Sequence, residues 1–182
     1  MPRLPLRPAV FIPVYVGLAF GPSVAMSAGG PVAGAAAMVA ALVALALHAD
    51  WVFRSIDYVA ATAPARLARP LELARLAAHA TGWCGGLAIA HAALAPFVSP
   101  TGETILGPAV PWLLLVAVLG FLTQVWIASR LLCDAEAGGR APLHALVGTV
   151  LLFLYLAIGA PFLFRRLKAL AAPKPSLAAQ TA

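Results

Sequence analysis

Apolar and polar positions are segregated into blocks along this chain. Five runs are apolar almost throughout: Ala9 to Met26, Pro31 to Phe53, His79 to Val98, Pro108 to Ser129 and Ala141 to Phe164. The one charged residue inside any of them is Asp50, near the end of the second. A helix needs about 20 apolar residues to cross the hydrocarbon core of a bilayer, and a charge placed there costs about 2.5–3.5 kcal/mol on insertion scales. The pattern therefore predicts an all-α fold, a polytopic transmembrane helical bundle of five membrane-spanning helices. Residues 1–170 read as a single integral-membrane domain and 171–182 as a flexible C-terminal tail.

The segments between the runs hold the charge. Arg54 to Ala78 is too charged to insert, and within it Arg66, Arg69, Glu72 and Arg75 recur every third residue. On a helix that spacing gathers the charges on one face and leaves Leu67, Leu71 and Ala74 on another. Residues 59–77 are therefore expected to form an interfacial helix on the cytoplasmic leaflet, and the loop 54–78 is a candidate docking surface for a peripheral partner. Ser99 to Gly107 is short and carries only Glu103, too little chain for an extramembrane domain.

Composition supports the block pattern. Of 182 residues, 63% are hydrophobic and 10% charged, against about 25% charged in a soluble domain. Mean hydropathy is +0.96. Soluble, disordered and coiled-coil classes are excluded, and two cysteines are too few for a disulfide scaffold. Twelve basic residues against six acidic ones would raise the question of nucleic acid in a soluble chain. Here they cluster at the ends of apolar runs, where they meet anionic headgroups and set orientation, so the lipid bilayer is the expected partner and nucleic acid is not. Ten of the twelve are Arg and Ala is abundant, which points to a GC-rich bacterial genome and a bacterial cytoplasmic membrane.

With a cytoplasmic N-terminus and five spans, the inside receives Arg3, Arg7, Arg54, Arg66, Arg69, Arg75, Arg130 and Arg140. This satisfies the positive-inside rule. It leaves Arg165, Arg166, Lys168 and Lys174 outside, which is a misfit. The first run is the weakest, being broken by Pro13, Gly17, Gly21 and Pro22. With Arg3 and Arg7 ahead of it and small residues at 23–27, the stretch 1–28 also fits a cleavable secretory signal. Retained, it is a helix packed on the second through a turn at 27–30.

Two stripes of small residues predict close helix packing: Gly17 with Gly21, and Ala78, Gly82, Gly86 and Ala90. Trp112 and Trp126 lie 14 residues apart, about 21 Å on a helix, which suits two aromatic belts. Trp51 and Tyr58 are expected to anchor the cytoplasmic end of the second span.

Chemistry narrows to a few polar groups, because ionisable residues inside a membrane are functional candidates by default. His48, His79 and His144 fall near one depth on three helices. That arrangement fits axial ligation of a b-type haem, with Gly82 and Gly148 one turn away to make room for the ring. Asp50, Asp57, Asp134, Glu136 and Cys133 lie at the same level, so His48, Asp50 and His144 also form a candidate divalent-metal set. His91, about 18 Å deeper than His79, is a candidate member of a proton or solute path with Gln124 and Thr123, or a partner of Thr149. Cys84 and Cys133 fall at different levels and are not expected to pair. No HExxH, CxxC, GxSxG or phosphate loop occurs, which leans away from an enzyme. The expected role is an accessory or structural subunit of a bacterial membrane complex, whose partners are other membrane protein subunits. The alternatives are a haem-b electron-transfer subunit and a small transporter.

Overall fold

The computed structural model describes residues 4–26, 31–62, 68–98 and 107–170. The turn at 27–30, the loop 99–106 with Glu103, Arg66, and the tail 171–182 lie outside the described residues, as do the side chains of Gly21, of 23–27 and of Arg69. The described chain is all-helical. Its helices are α1 (Pro8–Met26), α2 (Pro31–Thr62), α3 (Ala68–Val98), α4 (Val110–Ala137), α5 (Leu143–Leu154) and α6 (Leu156–Leu170), with a short 3-10 turn at Gly107–Ala109 before α4.

The first four helices form a bundle in which α1 packs on α2, α2 on α3, and α3 most extensively on α4. Small residues make the last contact close. A Cβ at Gly120 of α4 would stand 2.9 Å from the Ala77 carbonyl oxygen and 2.7 Å from Thr81 Oγ1 of α3, so only glycine lets the two backbones approach this far. Gly85 of α3 sits in ordinary contact with Leu45 and Ala117. The glycines singled out by the stripes behave differently. Gly17, Gly82 and Gly86 each have open space where a Cβ would project, so they make no close helix contact within this chain.

The helices α2 and α3 run longer than the apolar pattern predicts, 32 and 31 residues, or about 48 and 46 Å. The expected separate interfacial helix over 59–77 does not form: 59–62 continue α2 and 68–77 open α3. Charge by itself does not break a helix. Arg54 and Asp50 pair at 2.7 Å one turn apart, Thr62 donates back to the Val59 carbonyl at 2.9 Å, and Pro70 falls in the first turn of α3, where a missing N–H costs nothing. The extension is also buried on one side, through Ile56 and Val59. Trp51 and Tyr58 belong to this core instead of anchoring at the lipid interface: both are buried, and Trp51 Nε1–H donates to the Leu6 carbonyl at 3.1 Å. Phe11 stacks on Tyr15 and packs on Trp51, which makes α1 part of the core.

The fifth apolar run also departs from expectation. It is two helices, and the second folds back along the first. In one continuous helix Thr149 and Arg166 would lie about 25 Å apart, yet Arg166 Nη1–H donates to Thr149 Oγ1 at 2.8 Å. Arg166 also pairs with Glu136 in the last turn of α4. The reversal sits at Tyr155, whose φ of −97° and ψ of 55° leave helical geometry. Tyr155 N–H still donates to Leu151, while Ile158 and Gly159 both donate to the Tyr155 carbonyl. Gly159 is required at the bend, because a Cβ there would collide with the Leu152 backbone. Pro161, two residues on, lacks the N–H that would continue an ordinary ladder.

The α4–α5 connection is fixed locally. Gly138 adopts a left-handed φ of 65° just past the α4 terminus, as helix ends favour. Ala141 N–H donates to Asp134 Oδ1 at 2.8 Å, and Arg130 pairs with the same carboxylate at 3.0 Å.

Two stretches are long and apolar enough to cross a membrane among the described residues, Val39–Thr62 and Gly107–Ala137, by length and composition. Pro8–Phe20 and Leu143–Leu154 are shorter apolar helices. The outer surface is strongly apolar, with Trp83, Trp112, Ile158, Leu143 and Tyr155 each about two-thirds exposed or more. Polar side chains lie inside: His48, Ser55, Thr81, Gln124, Ser129 and Thr149 are buried.

Candidate functional site

Polar groups meet at three places in the bundle. The first centres on His48 of α2. Its Nε2 lies 2.9 Å from the Phe153 carbonyl oxygen, in the last turn of α5, and its Nδ1 lies 3.1 Å from Tyr15 Oη of α1. A carbonyl only accepts, so Nε2 carries the hydrogen and Nδ1 accepts from the tyrosine. The ring stands edge-on to Phe121 of α4 and to Tyr15. One buried imidazole thus joins α1, α2, α4 and the top of the α5–α6 hairpin, and it satisfies a carbonyl that a helix end leaves without an intrahelical donor.

The second place is at the other end of the hairpin. Arg166 of α6 grips Glu136 of α4 through both Nε and Nη2, the former at 2.7 Å. Its Nη1 reaches Thr149 of α5, and Nη2 approaches Cys133 Sγ at 3.7 Å. Thr149 Oγ1 donates to the Ala145 carbonyl at 2.8 Å and lies 3.1 Å from Cys133 Sγ. The hydrogen bonds to Glu136 hold the Arg166 guanidinium above its ordinary pKa, against the opposing effect of burial. A bidentate, charge-assisted pair of this kind fixes geometry as well as lending energy.

The third lies between α3 and α4. Gln124 Nε2 donates to Thr81 Oγ1 at 3.1 Å, and Thr81 donates in turn to its own Ala77 carbonyl at 2.9 Å. Gln124 Oε1 is buried without a hydrogen-bond partner.

The candidate ligands and path residues are distributed otherwise than their sequence positions imply. His48 is buried with both ring nitrogens occupied, whereas His79 and His144 stand on the exposed surface of α3 and α5. The lone pair an axial ligand needs is taken, on His48, by Tyr15. Three of the four acids are occupied as well: Asp50 by Arg54, Asp134 by Arg130 and Ala141, Glu136 by Arg166. Among the described residues no three His, Cys, Asp or Glu side chains are grouped to hold a metal ion. His91 is half-buried on α3. Gln124 turns to Thr81, and the neighbouring Thr123 folds its hydroxyl back to the Leu119 carbonyl at 2.8 Å. Cys84 and Cys133 are both free thiols.

Sequence reasoning missed Tyr15, Phe121 and the Arg166–Glu136–Thr149 cluster. Spacing rules find partners three or four residues apart, and these are separated by 17 to 33 residues or more. The available signal was the unplaced basic group at 165–168 together with Gly159 and Pro161 inside an apolar run. Family models, curated proteins and solved structures give no match to this chain.

Proposed function

We propose that this chain is a multi-pass protein of a bacterial cytoplasmic membrane, with a cytoplasmic N-terminus, acting as a non-catalytic accessory subunit of a membrane complex. The observation that carries the reading is the inverted distribution of polarity: tryptophans, leucines and valines cover the outside while His48, Thr81, Gln124 and Thr149 are enclosed. Water penalises such a surface and hydrocarbon does not. The membrane reading allows the helices outside the two longest apolar ones to complete the bundle, since α1 and α3 pack against them along their length.

The subunit role is supported by how the polar groups are spent. His48, Thr149, Arg166 and Glu136 are engaged in tying helices together, while Asp50 and Asp134 are paired within their own helices. A haem-binding role would require His48 to give up Tyr15 or Phe153 first. Purification of the tagged full chain in mild detergent, followed by native electrophoresis, tests the role. Co-migration with a defined set of membrane proteins at fixed stoichiometry is expected. A chain that runs alone and shows a haem Soret band would overturn it in favour of electron transfer, and proteoliposomes that pass protons or a solute would favour transport.

A further inference from the structure

The α5–α6 hairpin changes which end of the bundle carries the charge. The C-terminus of α6 lies beside the C-terminus of α4 and the start of α5, because Arg166 bonds Glu136 and Thr149 together. The helices α2 and α4 run in the same direction, since His48 meets Phe121 and both helices pack against α3. The N-terminal stretch is held at the same end through the bond from Trp51 to Leu6. One end of the molecule thus gathers the start of α1, the end of α2, the start of α3, the end of α4, the start of α5 and the end of α6.

Arg7, Arg54, Arg75, Arg130, Arg140, Arg165, Arg166 and Lys168 are at that end. All eight of these cations, among the described residues, are therefore on one side. The opposite end is joined by residues 27–30 and 99–106, whose one charge is Glu103. A fifth crossing would instead put Arg165, Arg166 and Lys168 on the opposite side from the other five.

Depth agrees with this arrangement. The helix α5 has 12 residues, about 18 Å of rise, against a hydrocarbon core of about 30 Å. Its last turn reaches the level of His48 and Phe121, well inside the apolar part of α4. Irregular backbone at membrane depth is tolerated only where protein covers it. Here His48 covers the Phe153 carbonyl, and Phe153, Leu156, Ala160, Leu163 and Leu167 are buried against the bundle.

Building on the membrane reading above, we propose that α5 and α6 form a re-entrant hairpin that enters from the cytoplasmic side and returns to it. The chain then crosses four times, and a single cationic face lies against the anionic headgroups of one leaflet.

Cysteine labelling of the full chain tests this. On a Cys84→Ser, Cys133→Ser background, Leu4→Cys, Thr101→Cys and Ala169→Cys are each exposed to a membrane-impermeant maleimide in intact spheroplasts and again after lysis. The expected result is labelling of Thr101→Cys in both, and of Leu4→Cys and Ala169→Cys only after lysis, by tenfold or more. Labelling of Ala169→Cys in intact spheroplasts while Leu4→Cys stays protected would overturn the hairpin and leave the membrane reading standing. Release of the chain into the soluble fraction by alkaline carbonate would sink the membrane reading itself.

Discussion

The pair α3–α4 and the pair α5–α6 are built from similarly apolar sequence and reach opposite outcomes. Helix α4 runs 28 residues without interruption from Val110, and its inward face of Ala117, Gly120 and Ala128 lets α3 lie close along it. The run beginning at Leu143 stops after 12 residues and turns back. Apolar content does not separate them. What does is a bend whose backbone is locally satisfied: Tyr155 takes two N–H groups on its carbonyl, Gly159 leaves room for Leu152, and His48 arrives from another helix to occupy Phe153. Hydropathy marks the apolar runs, and backbone chemistry decides whether a run continues as one helix or turns back.

The hardest test of that contrast is steric. Gly159→Val puts a branched side chain into the Leu152 backbone, which no rotamer relieves, and it should cost about 3 kcal/mol or more, at the upper end of overpacking penalties. Gly86→Val, facing open space in the bundle, should change stability by less than about 0.5 kcal/mol. Thermal unfolding of both variants in detergent reads the difference. Equal losses would mean that the bend has no special need for glycine, and a shift in oligomeric size with Gly86→Val would show the small-residue stripe working between chains.

How much of this was legible beforehand follows from the range of the forces involved. The all-helical fold and the runs starting near residues 9, 31, 79 and 108 follow from local hydropathy, because burial of an apolar run is decided residue by residue. The extension of α2 to Thr62 does not follow from the apolar pattern, because charge does not mark the end of a helix. The hairpin was missed because its fastenings, Arg166 to Glu136 and His48 to Phe153, join residues 30 and 105 positions apart. The stranded cations at 165–168 were its one visible trace. The histidines show the same limit, since equal depth along the chain placed His48, His79 and His144 together while burial separates the first from the other two.

The next largest effect should come from the foot of the hairpin. Arg166→Met removes the grip on Glu136 and Thr149 and leaves a carboxylate unpaired. Both partners keep about 30% side-chain exposure, so a loss of about 1–3 kcal/mol is expected, short of a fully buried pair. A double-mutant cycle with Glu136→Gln, followed by chemical denaturation in micelles, isolates the coupling. Additive losses would show that the pair does not hold α6 to α4.

A smaller loss is expected at the top. His48→Phe keeps the ring among Tyr15, Phe121 and Trp51's neighbour Phe153 but removes both hydrogen bonds. The Phe153 carbonyl then lacks its donor, for about 1–2 kcal/mol. Hydrogen exchange should quicken at residues 155–159 and stay unchanged in α3. Exchange that quickens evenly through the molecule would mean His48 supports the whole bundle and has no particular part in the bend.

The smallest effect should have the opposite sign, and it lies in the α3–α4 pair. Gln124 contributes one bond to Thr81 and leaves Oε1 buried without a partner. An interhelical hydrogen bond in a membrane averages about 0.6 kcal/mol, while an unsatisfied buried acceptor costs about 1–3 kcal/mol. Thr81 loses little when the amide goes, since its hydroxyl still donates to Ala77. Gln124→Leu should therefore stabilise the protein by about 0.5–1 kcal/mol, visible as a raised unfolding midpoint in detergent. A lowered midpoint would show that the α3–α4 contact depends on its polar pair, as the hairpin depends on His48 and Arg166, and that close glycine packing alone does not hold these two helices.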